Sequence, residues 1–247
     1  MSRPLGVPNT PRDGIFTLGA HRSHEPPHLG RVRHDHPRVG HVRPATMTNA
    51  EGITVVILAG GHGSRMGSPK ASLLLDGRLL LHHVLDAVAP IADQVIVVRS
   101  ALYPLPPIYE TNVQVLVDEA PDEGPLRALA TAFSHTQSEL VVAVGCDMPF
   151  LNPLLISRLA SLIDGYDAAV PIVEGRQQPL HSAYRTAAAS IAAGDALRRG
   201  ERRLSALLTK LHVREVERHE WIATDPTARS FFNINNPEDL ILAASLR

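Results

Sequence analysis

The 247-residue sequence has a single cysteine, Cys146, which excludes an intrachain disulfide framework and fits a reducing compartment. Net charge is nearly absent too: 24 Lys and Arg against 25 Asp and Glu leave a formal −1. That balance gives no support to general binding of nucleic acid or of a charged membrane surface. No apolar run approaches the roughly 18 residues a membrane span needs, and the N-terminus lacks the apolar core of a secretory signal. A soluble, cytoplasmic, monomeric protein without membrane or nucleic-acid partners is expected.

The first residues also lack periodicity. "HRSHEPPHLGRVRHDHPRVGHVRP" is rich in His, Arg and Pro and repeats at neither 2 nor 3.6 residues. Such a segment buries too little apolar surface to offset the entropy of ordering, so residues 1–48 are expected to form a disordered tail. His21, His24, His28, His34, His36 and His41 have no fixed ligand spacing and no Cys or carboxylate cluster among them. Met47 is an alternative first residue, because "MTNAEGITVVILAGG" leads almost at once into an apolar strand.

Residues 49–247 carry the expected domain. Apolar runs in "ITVVILAG", "QVIVVRS", "VQVLVDE" and "ELVVAVGCDMP" alternate with helical patterns in "LLLHHVLDAVAPI" and "GPLRALATAFSHT". This alternation is the signature of a mostly parallel sheet covered by helices. "ELVVAVGCDMP" is the most apolar and is expected at the centre. Strands are expected in "DAAVPIV" and "LHSAYR", then a helix in "GERRLSALLTKL" and an edge strand in "HVREVE". Asn236 followed by Pro237 marks the start of the last helix, with Asn at the cap and Pro just inside.

The first strand runs into "GGHGSRMGSPK", Gly60 to Lys70. A Walker A loop requires Gly-Lys-Ser/Thr, whereas Gly67 is followed by Ser68 and the lysine comes at Lys70. A dinucleotide fingerprint requires G-x-G-x-x-G and an acid after the second strand, which instead ends Val98-Arg99. That missing acid excludes a nicotinamide oxidoreductase of the usual kind. What remains is a wide glycine loop with two cations, Arg65 and Lys70, suited to phosphate oxygens. A solvated surface turn would carry the same residues.

Asp147 follows the most apolar strand and is expected in the crevice at the carboxyl ends of the strands. A carboxylate beside phosphates suggests Mg²⁺, which binds through one or two carboxylates plus substrate oxygens; capping of a helical turn is the alternative use of an Asp here. Cys146 has no His beside it in sequence and reads as a small buried hydrophobe. His62 reads as a spectator, His82 and His83 are expected in a helix facing solvent or a helix contact, and Arg127 opens a helix beside the crevice.

The motifs "LAGGHGSRMGSPKASLLLDGRLLL", "DEGPLRAL", "GCDMPFL", "GERRLSALL" and "FFNINNPEDL", in that order, resemble those of the bacterial molybdenum cofactor guanylyltransferases, within the wider family of MobA-like nucleotidyltransferases. The resemblance covers Ile53 to Leu240. It implies a Rossmann-like three-layer α/β/α fold with a mostly parallel sheet, of the nucleotide-diphospho-sugar-transferase type. It further implies a magnesium-dependent enzyme of molybdenum cofactor biosynthesis that joins GMP from GTP to molybdopterin carrying molybdenum, with release of pyrophosphate. By the same resemblance Leu58, Ala59, Gly60 and Gly61 line the guanine and phosphates, Arg65 and Lys70 meet the triphosphate, Asp118 binds the nucleotide, and Asp147 holds Mg²⁺. Asn233 and Asn235 would lie near metal and substrate, and Arg202 and Arg203 near the pterin or its phosphate. One departure is that Val98-Arg99 stands where members often carry an Asn after the second strand, which leaves base selection open. A molybdopterin cytidylyltransferase, a phospholactate guanylyltransferase and a non-catalytic nucleotide-binding protein are the alternatives.

Overall fold

The computed structural model describes residues 52–60, 68–120 and 123–246. The expected tail, and Gly61, His62 and Arg65 of the glycine loop, lie outside the described residues. The strands in chain order are β1 Ile53–Leu58, β2 Leu74–Leu75, β3 Arg78–Leu79, β4 Gln94–Ser100 and β5 Val113–Asp118. They continue with β6 Leu140–Gly145, β7 Ala168–Val173, β8 Arg176–Gln177, β9 Ser182–Arg185 and β10 Val213–Val216. The helices are α1 Leu80–Val88, α2 Pro125–His135, α3 Pro153–Ser161, α4 Thr186–Arg198, α5 Leu204–Leu208, α6 Arg218–Trp221 and α7 Pro237–Ser245.

The main sheet has the order β5-β4-β1-β6-β9-β7-β10, with β8 beside β7. β1 pairs in parallel with β4 and β6, so Leu58 stands level with Val98 on one side and Gly145 on the other. β9 is antiparallel to its neighbours β6 and β7, between which it is inserted, and β8 pairs antiparallel with β7. Every residue of β6 is buried, as a strand covered on both faces requires. Side chains alternate between the faces: Val55, Ile57, Val95, Val97, Val142 and Val144 pack with α1, α3 and α6. Val56, Ile96, Val98, Val141 and Ala143 pack with α2, α4 and α5. The outcome is the three-layer α/β/α arrangement expected.

Several elements differ from the sequence expectation. The "GERRLSALLTKL" helix begins only at Leu204, after GERR, and has 5 residues. The α3 and α4 helices and the β2–β3 hairpin had no counterpart in it. α4 presents Ala189, Ala192, Ala193 and Ala196 to the core, a helical i, i+3, i+4, i+7 stripe made of side chains too small to stand out as apolar. His83 is buried and its Nε2 lies 3.1 Å from the Leu75 carbonyl, a structural role for a residue expected at solvent or a helix contact.

The α7 cap is as expected and reaches further. Asn236 Oδ1 accepts from the Asp239 amide at 2.8 Å, while Asp239 Oδ2 accepts from the amides of Asn236 at 3.1 Å and Asn235 at 2.7 Å. Asn236→Ala removes one half of this box, and urea unfolding should show a loss of about 1 kcal/mol.

Candidate active site

The site forms where the parallel strands end. Beyond β1, the Ala59 amide donates to the Val98 carbonyl at 2.8 Å, and beyond β6 the Cys146 amide donates to the Leu58 carbonyl at 3.1 Å. The strand register places Ser100 level with Asp118 on the same edge. Asp118 is buried, and its Oδ1 accepts from the Ala120 amide at 3.1 Å, which fixes the turn after β5. Leu58, Ala59, Gly60, Ser100 and Asp118 thus lie together at the carboxyl ends of β1, β4 and β5.

Asp147 stands at the centre. Its carboxylate folds back over Gly145, where an added Cβ would meet Oδ1, so a larger residue there would push the carboxylate aside. The Asp147 carbonyl accepts from the Ile234 amide at 3.0 Å, tying the end of β6 to the "NINN" segment. Lys70 belongs to a 3-10 turn, Lys70–Ser72, that starts after Pro69. Its Nζ donates to Asp147 Oδ2 at 2.7 Å and to Asn235 Oδ1 at 2.8 Å. The Lys70 and Asp147 side chains are only 14% and 19% exposed. Three segments separated by up to 165 residues therefore converge on one cation.

No cluster of three or more His, Cys, Asp or Glu gathers among the described residues. The Asp147 carboxylate and the Asn235 carboxamide oxygen are hard donors, and a cation already sits on both. A divalent ion of the magnesium type, completed by substrate phosphates, fits such a donor set. Cys146 is excluded as a nucleophile: burial, with the Asp147 charge adding to it and Lys70 opposing it, pushes its thiol far up. Asp147 does not cap α3, whose cap is Asn152.

Arg202 and Arg203 belong to the loop that leads into α5. The Arg202 carbonyl accepts from the Leu126 amide at 3.4 Å, and Arg203 is the residue before α5. Gly124, with φ +83°, backs directly on this loop; a Cβ there would come 2.9 Å from the Arg202 carbonyl oxygen. Arg127 forms an ion pair with Glu123, Nε to Oε2 at 2.7 Å. Arg99 turns back on its own loop, Nη1 donating to the carbonyls of Ser100 at 2.9 Å and Tyr103 at 3.3 Å.

On the other side of β6 a cleft of about 580 Å³ opens between the β7–β8 hairpin and residues 227–233, lined by Val173, Arg176, Gln178, Arg229, Phe232 and Asn233. Asn233 belongs to the same short segment as Asn235, and its Nδ2 donates to the Phe231 carbonyl at 3.0 Å. Sequence reasoning did not single out Ser100, Arg176, Arg229 or Phe232. Arg176 lies in a two-residue strand and Arg229 in a single 3-10 turn, elements too short for a periodic signal.

The MobA-like NTP transferase domain matches residues 55–216 of the chain. The probable molybdenum cofactor guanylyltransferase of Natronomonas pharaonis is 32% identical over 197 residues, which span 76% of this chain and 94% of that protein. The protein of the same name from Chloroflexus aggregans is 32% identical over 197 residues, or 76% and 91% of the two chains. Among solved structures, the Archaeoglobus fulgidus molybdopterin-guanine dinucleotide biosynthesis protein A superposes with TM-score 0.66 at 26% identity, covering 78% of this chain and 97% of its own. A Thermus thermophilus 2-C-methyl-D-erythritol 4-phosphate cytidylyltransferase shares the fold, with TM-score 0.62 at 24% identity over 79% and 98%.

Proposed function

The chain is a nucleotidyltransferase of the MobA-like NTP transferase family, and from that premise we propose that it transfers GMP from GTP to molybdopterin carrying molybdenum. The observation that carries this reading is the convergence of Lys70, Asp147 and Asn235 at the strand ends, between the ends of β1, β4 and β5 and a separate cleft. GTP occupies the half lined by Leu58, Ala59, Gly60 and Asp118, with Gly61, Arg65 and Lys70 on its phosphates. The acceptor occupies the opposite side of β6, with Asn233 and Asn235 toward its phosphate. Its body lies in the cleft of Arg176, Arg229 and Phe232, whose guanidinium groups and aromatic face suit a flat anionic heterocycle. Arg202 and Arg203, beside the start of α2, complete the substrate-facing set.

In this reaction a terminal phosphate oxygen of the acceptor attacks the α-phosphorus of GTP. One P–O bond forms, the bond to the β-phosphate breaks, and pyrophosphate leaves with the electron pair. Both reactants are anions, so the protein's task is to neutralise and align them. Lys70 and Arg65 carry the charge that grows on pyrophosphate. Asp147, with Asn235, would hold Mg²⁺, which supplies Lewis-acid polarisation of the phosphoryl oxygens. The attacking phosphate is already ionised near neutral pH, so no general base is needed.

Lys70→Ala is expected to lower kcat at saturating GTP by roughly a hundredfold, the scale for losing one transition-state donor. Unchanged turnover would remove Lys70 from that role. Titration of the protein with GTP, CTP and ATP in Mg²⁺ is expected to rank GTP first. Tighter CTP binding would favour the cytidylyltransferase reading, to which the missing Asn at Val98-Arg99 leaves an opening.

A further inference from the structure

We propose that the Lys70 ammonium is the resident cation of the empty active site, and that a divalent metal gains the Asp147 and Asn235 oxygens only with nucleotide phosphates that draw Lys70 away. This rests on the reading of those two oxygens as the metal-side donors. Nζ lies 2.7 Å from Asp147 Oδ2 and 2.8 Å from Asn235 Oδ1, so the ammonium occupies the donors a metal would need. Two cations sharing one carboxylate oxygen would repel strongly at such short range. Metal alone must therefore break a charge-assisted pair and leave the ammonium without its acceptors, a large penalty for mostly buried groups. Nucleotide phosphates remove that penalty by giving the ammonium new acceptors.

The movable part is the lysine. Asp147 is held by its carbonyl to the Ile234 amide at 3.0 Å, and Asn235 by its amide to Asp239 at 2.7 Å. The Lys70 backbone is fixed too, with the Leu73 amide on its carbonyl at 3.1 Å and Ala71 buried beside it. Only the four-carbon stem is left to swing, and lysine delivers its charge as a point on such a stem. Lys70 thus serves twice, keeping the two oxygens in place when the site is empty and then joining the triphosphate. The consequence is that metal and nucleotide bind as a coupled pair, each strengthening the other by the same factor.

Mn²⁺ binding followed by electron paramagnetic resonance tests this on the full chain without nucleotide, in wild type, Lys70→Met, Lys70→Gln and Asp147→Asn. Circular dichroism establishes that each variant is folded. Both Lys70 variants are expected to bind Mn²⁺ roughly ten- to a hundredfold more tightly than wild type, the scale of one charge-assisted hydrogen bond, and Asp147→Asn to bind it most weakly. Wild type matching the folded Lys70 variants, with Asp147→Asn still weak, overturns the resident-cation proposal and leaves the metal site standing. If Asp147→Asn binds Mn²⁺ as tightly as the Lys70 variants do, the metal-site reading fails and the proposal fails with it.

Discussion

Asp147→Asn should lower turnover by about a thousandfold while the protein still folds, as a melting curve would show. Asparagine has nearly the shape of aspartate, so the close approach to Gly145 is kept, and the backbone tie from the Ile234 amide to the Asp147 carbonyl does not involve the side chain. The anionic charge is what disappears. The pair with Lys70 at 2.7 Å is then reduced to a neutral contact, and the only carboxylate of the Lys70–Asp147–Asn235 centre is gone. Interactions that grow in the transition state are the ones that set kcat, so the loss should fall on kcat more than on the KM for GTP. Steady-state kinetics at several Mg²⁺ concentrations, beside a melting curve, checks both halves. A variant with wild-type kcat would show that Asp147 is structural.

The second large effect concerns stability in acid. His181 is wholly buried, with its ring centroid 4.7 Å from that of Phe231. Its amide donates to the Ala143 carbonyl at 2.6 Å from a backbone with φ +95°, a conformation few non-glycine residues adopt. Neither ring nitrogen makes a well-formed hydrogen bond. Burial pushes the imidazole down to about 3 from 6.5, opposed in part by the backbone of Ser230. Because the folded value is depressed, the unfolded chain binds more protons between those two values. Stability is then fully present above the unfolded pKa and falls as pH drops through this window. By pH 5 the loss from this one group should reach about 2 kcal/mol relative to pH 7. Urea unfolding at both pH values measures it. His181→Asn, a residue that tolerates positive φ, should flatten that difference whatever it does to absolute stability, and an unchanged difference would place the acid sensitivity elsewhere.

How much of this was legible in the sequence depended on the kind of signal. β1, β4 and β6 were marked by unbroken apolar runs, because strands buried on both faces need them, whereas β5 is an edge strand with Gln114 and Val115 exposed. The α7 start was marked by Asn236-Pro237, where cap chemistry is local. α4 escaped because its buried stripe is alanine, and β9 showed its strand character but not its antiparallel place between β6 and β7. That order is decided by distant pairing. Lys70 and Asp147 stood out as separate motifs, yet their direct contact, with Asn235 as third member, is a property of the fold alone. Arg202 and Arg203 were noticed for a motif, and the packing of their loop at the start of α2 is set by the fold. Arg176 and Arg229 line the cleft from elements too short to carry any periodicity.

The central claim is tested most directly by pyrophosphate release from GTP and from CTP in Mg²⁺, with and without molybdopterin carrying molybdenum. Guanylyl transfer predicts release that requires the pterin and a kcat/KM higher for GTP than for CTP. Release that favours CTP, or that does not depend on the pterin, would contradict it.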